Sequence, residues 1–368
     1  MTVPLAGAAD LAGGAGGAGR PEVAAKLDRV RGWLAGSGYG AALFTGQPGV
    51  AWVTGGLEDR VVRNEEPGLV WALVTEEAAF LITTNIEQPR LRAEADVDGF
   101  DLRAVPWYSS GGLAEVAESL AGGHKLTEAP ASLRMPLMAA ETERLIALGA
   151  DTAQALEGAM RAWRPDEREC DLAGRIAAAL EERLIFPSVL LVGGAERRRA
   201  FRHPVPSRAV TGSDVLAVVV GVRGGLNVAC SRSASAGSPD PELAARHEAA
   251  CAVEAAMIAA TSPGWRWADV LRAGQTAYRD AGFDGEWREH VQGGPIGYLS
   301  REFDVVPGTP GAAEVIASGT AFAWNPTVRG AKSEDTFVVS RSGAAAVPVT
   351  NTADWPVTAS GRPAVLPV

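Results

Sequence analysis

The chain's 368 residues, 47% hydrophobic and 21% charged, are enough for two domains with buried cores and exclude a peptide or a lone small module. With 44 acidic against 34 basic side chains, the formal net charge of −10 removes the electrostatic basis for sequence-independent nucleic-acid binding. No apolar run approaches the ~20 residues that span a bilayer, and Cys170, Cys230 and Cys251 lack the CxxC spacing of a disulfide framework or zinc knuckle.

Residues 1–20 are rich in Ala and Gly and lack the basic start and apolar block of a secretory signal, so a disordered tail on a soluble cytoplasmic protein is expected. From Pro21, apolar residues at Val23, Leu27, Val30 and Leu34 predict a helix that ends at Gly36. The runs 41–45, 69–75 and 80–84 predict strands, alternating with helices near 88–95 and 113–120. This describes an α/β domain over 21–135, closed by the Pro-containing polar stretch 122–136.

Residues 136–368 form the second domain. Leu145, Leu148, Thr152, Leu156, Met160 and Trp163 share one face of a helix over 140–163, which Pro165 stops. A helix over 171–184, a strand near 188–192, a basic loop 196–207 and a buried strand 214–222 follow. Helices over 241–260 and 267–281 flank Ser262-Pro263-Gly264, and strands fill 320–324, 335–340 and 346–349. A helix pair followed by strands, used twice, predicts a pseudo-symmetric α+β domain whose halves enclose a site.

The segments Arg164-Pro165-Asp166-Glu167-Arg168-Glu169, Phe186-Pro187-Ser188, His203-Pro204-Val205-Pro206-Ser207 and Ser262-Pro263-Gly264 occur in a family order. With Ala51-Trp52-Val53-Thr54-Gly55-Gly56 near the start, the chain resembles the creatinase/aminopeptidase P superfamily of pita-bread fold. The resemblance implies a creatinase-like N-terminal α/β domain followed by a pita-bread domain. Metallopeptidases of that family hold two divalent ions with two aspartates, a histidine and two glutamates. At the matching positions this chain has Val219, Ala229, Gly294, Asn325 and Glu334, so one acid ligand of five remains. Shifting the alignment by one would bring Cys230 in, still below the three protein ligands of a catalytic zinc. No metal and no other cofactor is expected.

Creatinase itself, as a family member, works without metal through a histidine that shuttles protons. The matching residue is His203, a candidate general acid/base whose alternative is a surface histidine in an arginine-rich loop. His290 matches the first histidine of the family's His-x-x-Gly-His-Gly segment and is read as a pocket residue or a core histidine. Glu334 is read as a pocket residue or as half of a salt bridge to Lys332. Arg301, followed by the retained Glu302, replaces a family histidine and favours a carboxylate-bearing substrate or an oxyanion, unless it serves as an ion-pair partner. Asn325 either orients substrate through its amide or caps the turn before Pro326. Cys230 is read as a buried thiol rather than a nucleophile, and His124 and His247 receive no role.

The expected function is metal-independent acid/base chemistry on a C–N bond of a small amino-acid-like or peptide substrate. The alternatives are an inactive peptide- or metabolite-binding protein, since the same fold serves as a peptide-binding domain in a histone chaperone, and an Xaa-Pro aminopeptidase-type hydrolase. A homodimer is expected, because family members lay an N-terminal loop over the partner's site. Residues 58–65, including Arg63, form the polar excursion suited to it. No nucleic-acid or membrane partner is expected.

Overall fold

The computed structural model describes residues 20–59, 61–63, 66–342 and 345–368. The expected tail, 1–20, lies outside the described residues except for Arg20, which begins the first helix. The chain divides into two compact units at Arg134 and Met135.

The first unit contains α1 (Arg20–Ser37), β1 (Ala41–Phe44), α2 (Gln47–Thr54), β2 (Trp71–Thr75), β3 (Ala79–Thr84), α3 (Gln88–Glu94), β4 (Asp101–Val105), α4 (Gly112–Leu120) and β5 (Leu126–Thr127). Val23, Leu27, Val30 and Leu34 are the buried stripe of α1, as their spacing requires. The sheet runs β4-β3-β2-β1-β5, and Ala41, Leu73 and Ile82 pack on Ala117 of α4 and on Ala121, the residue that caps it. Two elements carry no periodic signal. Helix α2 is set by Pro48 in its first turn and left-handed Gly55 at its end, and β4 is an edge strand with mostly exposed side chains.

The second unit contains α5 (Ala139–Arg161), α6 (Glu169–Glu181), β6 (Phe186–Gly194), α7 (Ala195–Ala200), β7 (Asp214–Arg223), β8 (Leu226–Ser235), α8 (Pro241–Ala260), α9 (Trp267–Asp280), β9 (Gly293–Ile296), α10 (Pro310–Ala313), β10 (Ala321–Trp324), β11 (Thr327–Val328), β12 (Ala331–Lys332), β13 (Asp335–Val338), β14 (Val347–Pro348) and β15 (Leu366–Pro367). Its two four-stranded sheets, β15-β8-β7-β6 and β14-β13-β10-β9, each follow a helix pair. The arrangement is the pseudo-symmetric α+β one expected from the helix-helix-strand order, and it is the pita-bread fold that the resemblance implies. Trp267, Tyr278, Phe322, Trp324 and Phe337 form the core beneath α8 and α9.

Three sequence expectations change. The basic loop 196–207 begins inside the short helix α7. Strand β8, unforeseen because Ser and Arg interrupt it, is fully buried. Strand β9 is built on two glycines and a proline.

Two hairpins position the site. Strands β7 and β8 turn at Gly224-Gly225, both at positive φ, which suits a tight two-residue turn. Strands β10 to β13 keep one antiparallel register: Trp324 pairs with Asp335 and Thr327 with Lys332, and the turn falls at Arg329-Gly330. Continued between those pairs, the register sets Asn325 opposite Glu334.

Candidate functional site

Alternation along the second hairpin sends side chains two apart to one face. Ser333 and Asp335 serve a buried ion network: the Ser333 hydroxyl donates to Glu254, and Asp335 meets both Arg362 and Arg232. Arg232 is completed by Glu157 at 2.8 Å and by the Thr350 carbonyl at 2.9 Å. Lys332 and Glu334 share the other face. Lys332 Nζ lies 3.1 Å from Glu334 Oε2, and both side chains are 4% exposed. The contact is a charge pair rather than an aligned hydrogen bond, for Glu334 Oε2 finds no hydrogen-bond partner. The buried Asn325 Oδ1 and Ser231 Oγ are also without partners, and the Ser231 amide donates to the Glu334 carbonyl at 2.9 Å.

The two candidate histidines meet. His203 Nε2 and His290 Nε2 stand 3.0 Å apart across 87 residues, with ring centroids at 4.9 Å. One ring must donate and the other accept, so the contact cannot survive with both rings protonated. Arg202 anchors the first histidine's segment by donating to Thr327 Oγ1 at 2.9 Å and pairing with Glu286 at 2.7 Å. Gln292 holds the second by donating to the His290 carbonyl at 2.7 Å. Burial, and then the charge of Lys332, pushes the His290 pKa down to about 3. The same causes in the same order lower the exposed His203 pKa below its usual 6.5, with Glu334 opposing.

Arg301 is spent largely on the backbone, donating to the Ala323 carbonyl at 2.9 Å and to that of Gly294 at 3.4 Å. Asp304 lies 3.8 Å from its Nε. This ties the guanidinium to the β9–β10 edge, which is its structural reading. The Glu302 amide donates to the Pro295 carbonyl at 2.9 Å. Arg63 sits on an exposed turn of the first unit, and its neighbours Arg60, Asn64 and Glu65 lie outside the described residues.

Register corrects one family-derived position. Val219 pairs with Cys230, and Val220 with Ala229. A Cβ on Gly221 would meet Thr152 of α5 at 2.8 Å, and Arg232 reaches Glu157 of the same helix, so Val219 and Cys230 face α5 with them. Val218, Val220, Ala229 and Ser231 share the opposite face. Val219 and Ala229 therefore cannot serve one site, and Val218 or Val220 is the partner of Ala229. Shifting the alignment to Cys230 fails too, since that thiol is buried and its pKa is driven upward by burial.

The residues do not fit a dimetal centre. Valine, alanine and glycine offer no side-chain donor, Asn325 offers a neutral amide, and Glu334 already faces an ammonium. Among the described residues no three His, Cys, Asp or Glu side chains converge on a metal-holding position. Lys332 was legible only as a salt-bridge partner; the Lys-Ser-Glu-Asp alternation is the signal that could have set it on the face of Glu334.

A cavity of about 660 Å3 adjoins these residues along the chain. Three segments each supply several wall residues, the last of them one or two positions before a site residue. These last are Arg202 before His203, Glu289 before His290 and Gly330 before Lys332.

A sequence profile of metallopeptidase family M24 matches residues 143–341. The chain belongs to metallopeptidase family M24. Among solved M24-type structures it is similar to the dipeptidase PepE from Mycobacterium ulcerans, at 20% identity and a TM-score of 0.75, covering 96% of this chain and 100% of that one. It is similar also to an Xaa-Pro dipeptidase from Bacillus anthracis, at 15% identity and TM-score 0.72, covering 94% and 100%. The N-terminal domain of FACT complex subunit SPT16 from Cicer arietinum matches at 11% identity and TM-score 0.60, covering 92% and 96%. At these identities the likeness establishes the pita-bread fold of M24. A search among curated proteins finds no match. Among the described residues no helix is long and apolar enough to cross a membrane.

Proposed function

We propose that the chain is a metal-independent, creatinase-like hydrolase or related acid/base enzyme acting on a C–N bond of a small amino-acid-like or peptide substrate. The observation that carries this reading is the 3.0 Å contact between His203 and His290, two residues brought together from distant segments. Burial keeps the His290 ring neutral and fixes it as the hydrogen-bond partner that orients His203. His203, more exposed, is the proton carrier. In hydrolysis it takes a proton from the attacking water as the new C–O bond forms and returns that proton to the nitrogen as the C–N bond breaks.

His203→Ala is expected to lower turnover by ~10²-fold or more while leaving stability nearly unchanged, because an exposed loop histidine carries little packing energy. Equal activity in the variant would defeat the assignment. A second reading, an inactive peptide- or metabolite-binding protein, draws support from Lys332, which neutralises the one acid retained from the metal set. It predicts binding without turnover. The Xaa-Pro peptidase reading in its metal-dependent form draws no support from the donor set.

The proposal includes a cytoplasmic homodimer, supported by three unpaired cysteines and by the polar segment 58–65. Light scattering at micromolar concentration should give twice the 38.1 kDa chain mass; a monomer at every concentration would refute it.

A further inference from the structure

The family's metal ions supply positive charge at the side chains that bind them. In this chain a positive charge stands beside the single retained ligand, and it belongs to the protein. Lys332 Nζ is 3.1 Å from Glu334 Oε2, and the two side chains are 4% exposed. Removing an ammonium from water costs several kcal/mol even after relaxation, so its placement needs a reason. One carboxylate accounts for one direction of a group that carries three N–H donors. Among the described residues Glu334 is the sole ion-pair partner of Lys332, and its ammonium makes no hydrogen bond. The other cation near this strand edge, Arg301, has donated to the Ala323 and Gly294 carbonyls. The face that holds Lys332 also carries Asn325, opposite Glu334 in the strand register. Beyond it, the chain leads through Arg329-Gly330 into the cavity wall.

We propose that Lys332 replaces the missing metal charge from within the chain, and that the ligand of this site places a carboxylate or a developing oxyanion against its uncommitted N–H groups. The inference rests on the metal-independent reading above and moves the anion-binding role from Arg301 to Lys332. A lysine beside the one surviving acid cancels the charge that would attract a cation and offers N–H donors to an anion. A neutral group there would leave the ammonium short of acceptors, so the site discriminates against uncharged analogues.

The test uses the full-length protein with N-acetylglycine and its neutral counterpart N-acetylglycinamide, followed by thermal shift and by the ring signals of His203 and His290. The acid should bind and move both ring signals, and the amide should bind about ten-fold more weakly or worse. Lys332→Met should lose at least roughly ten-fold in acid affinity, whereas Lys332→Arg, which keeps the charge, should stay within about three-fold. Should Lys332→Met fail to fold with Glu334 unpaired, the double variant Lys332→Met/Glu334→Gln removes both buried charges and must show the same loss. Acid binding as tight in the methionine variants as in the parent, equal binding of acid and amide, or acid binding that leaves both ring signals unmoved would overturn the proposal. Failure of the acid/base reading is distinguishable: His203→Ala would then retain turnover, a result independent of how the acid binds.

Discussion

The backbone carbonyl of Phe303 occupies the space into which a side chain at Gly294 would grow. A Cβ at 294 would lie 2.6 Å from the Phe303 carbonyl oxygen and 3.5 Å from Arg301 Cδ. Arg301 packs beside the same glycine and ties itself to the strands on either side by donating to the Gly294 and Ala323 carbonyls.

Restoring a side chain there should be costly. Gly294→Ala is expected to destabilise the protein by about 1–3 kcal/mol, because the obstacle is a backbone carbonyl that cannot swing away. Gly294→His should cost more and recover no metal affinity. Urea denaturation measures this, and an unchanged midpoint would mean that the β9 edge gives way easily.

The acid limb of the pH–rate profile should lie below pH 6.5, since burial first and Lys332 second hold the His203 pKa below its usual value. A base must be neutral to accept a proton, so kcat/KM rises with pH through that pKa. Lys332→Met removes a charge that opposes protonation, so the limb should move to higher pH. A limb that does not move would separate Lys332 from the proton carrier.

His247 gives a stability prediction independent of the site. Its buried Nε2 lies 2.8 Å from the Pro363 carbonyl, and burial pushes its pKa down to about 4. In the unfolded chain the ring protonates near 6.5, so between pH 6.5 and 4 the unfolded state binds the extra proton. The stabilisation is whole above pH 6.5 and is lost as pH falls, with a slope of up to about 1.4 kcal/mol per pH unit for this residue. His247→Gln should flatten the fall in melting temperature between pH 7 and 5; an equally steep fall would assign it to other groups.

The fold was legible because it is written in periodicity: the stripe of α1, the apolar face of α5 and the continuous run of β7 each declare their elements. Strand β8 was not, because Asn227, Ser231, Arg232 and Ser233 are polar residues buried by partners that no local pattern reveals, such as Glu157 and Asp335. Within the site, His203, His290 and Glu334 could be named individually. The meeting of the two histidines depended on loop paths no local pattern reveals, and strand register displaced Val219, since a slip of one residue turns a side chain to the opposite face. Lys332 was visible in the sequence, but its burial beside Glu334 came from the hairpin.

The central claim is that charge and proton transfer in this site come from the chain itself. Elemental analysis of the purified, dialysed protein, paired with melting curves in EDTA and in added manganese or zinc, tests it most directly. Val218, Val220, Ala229, Gly294 and Asn325 offer no charged donor, and Glu334 is matched by Lys332. The protein should therefore hold well under one equivalent of metal, and its melting temperature should be the same in all conditions. Stoichiometric metal that survives dialysis, with a melting temperature that EDTA lowers, would contradict the account.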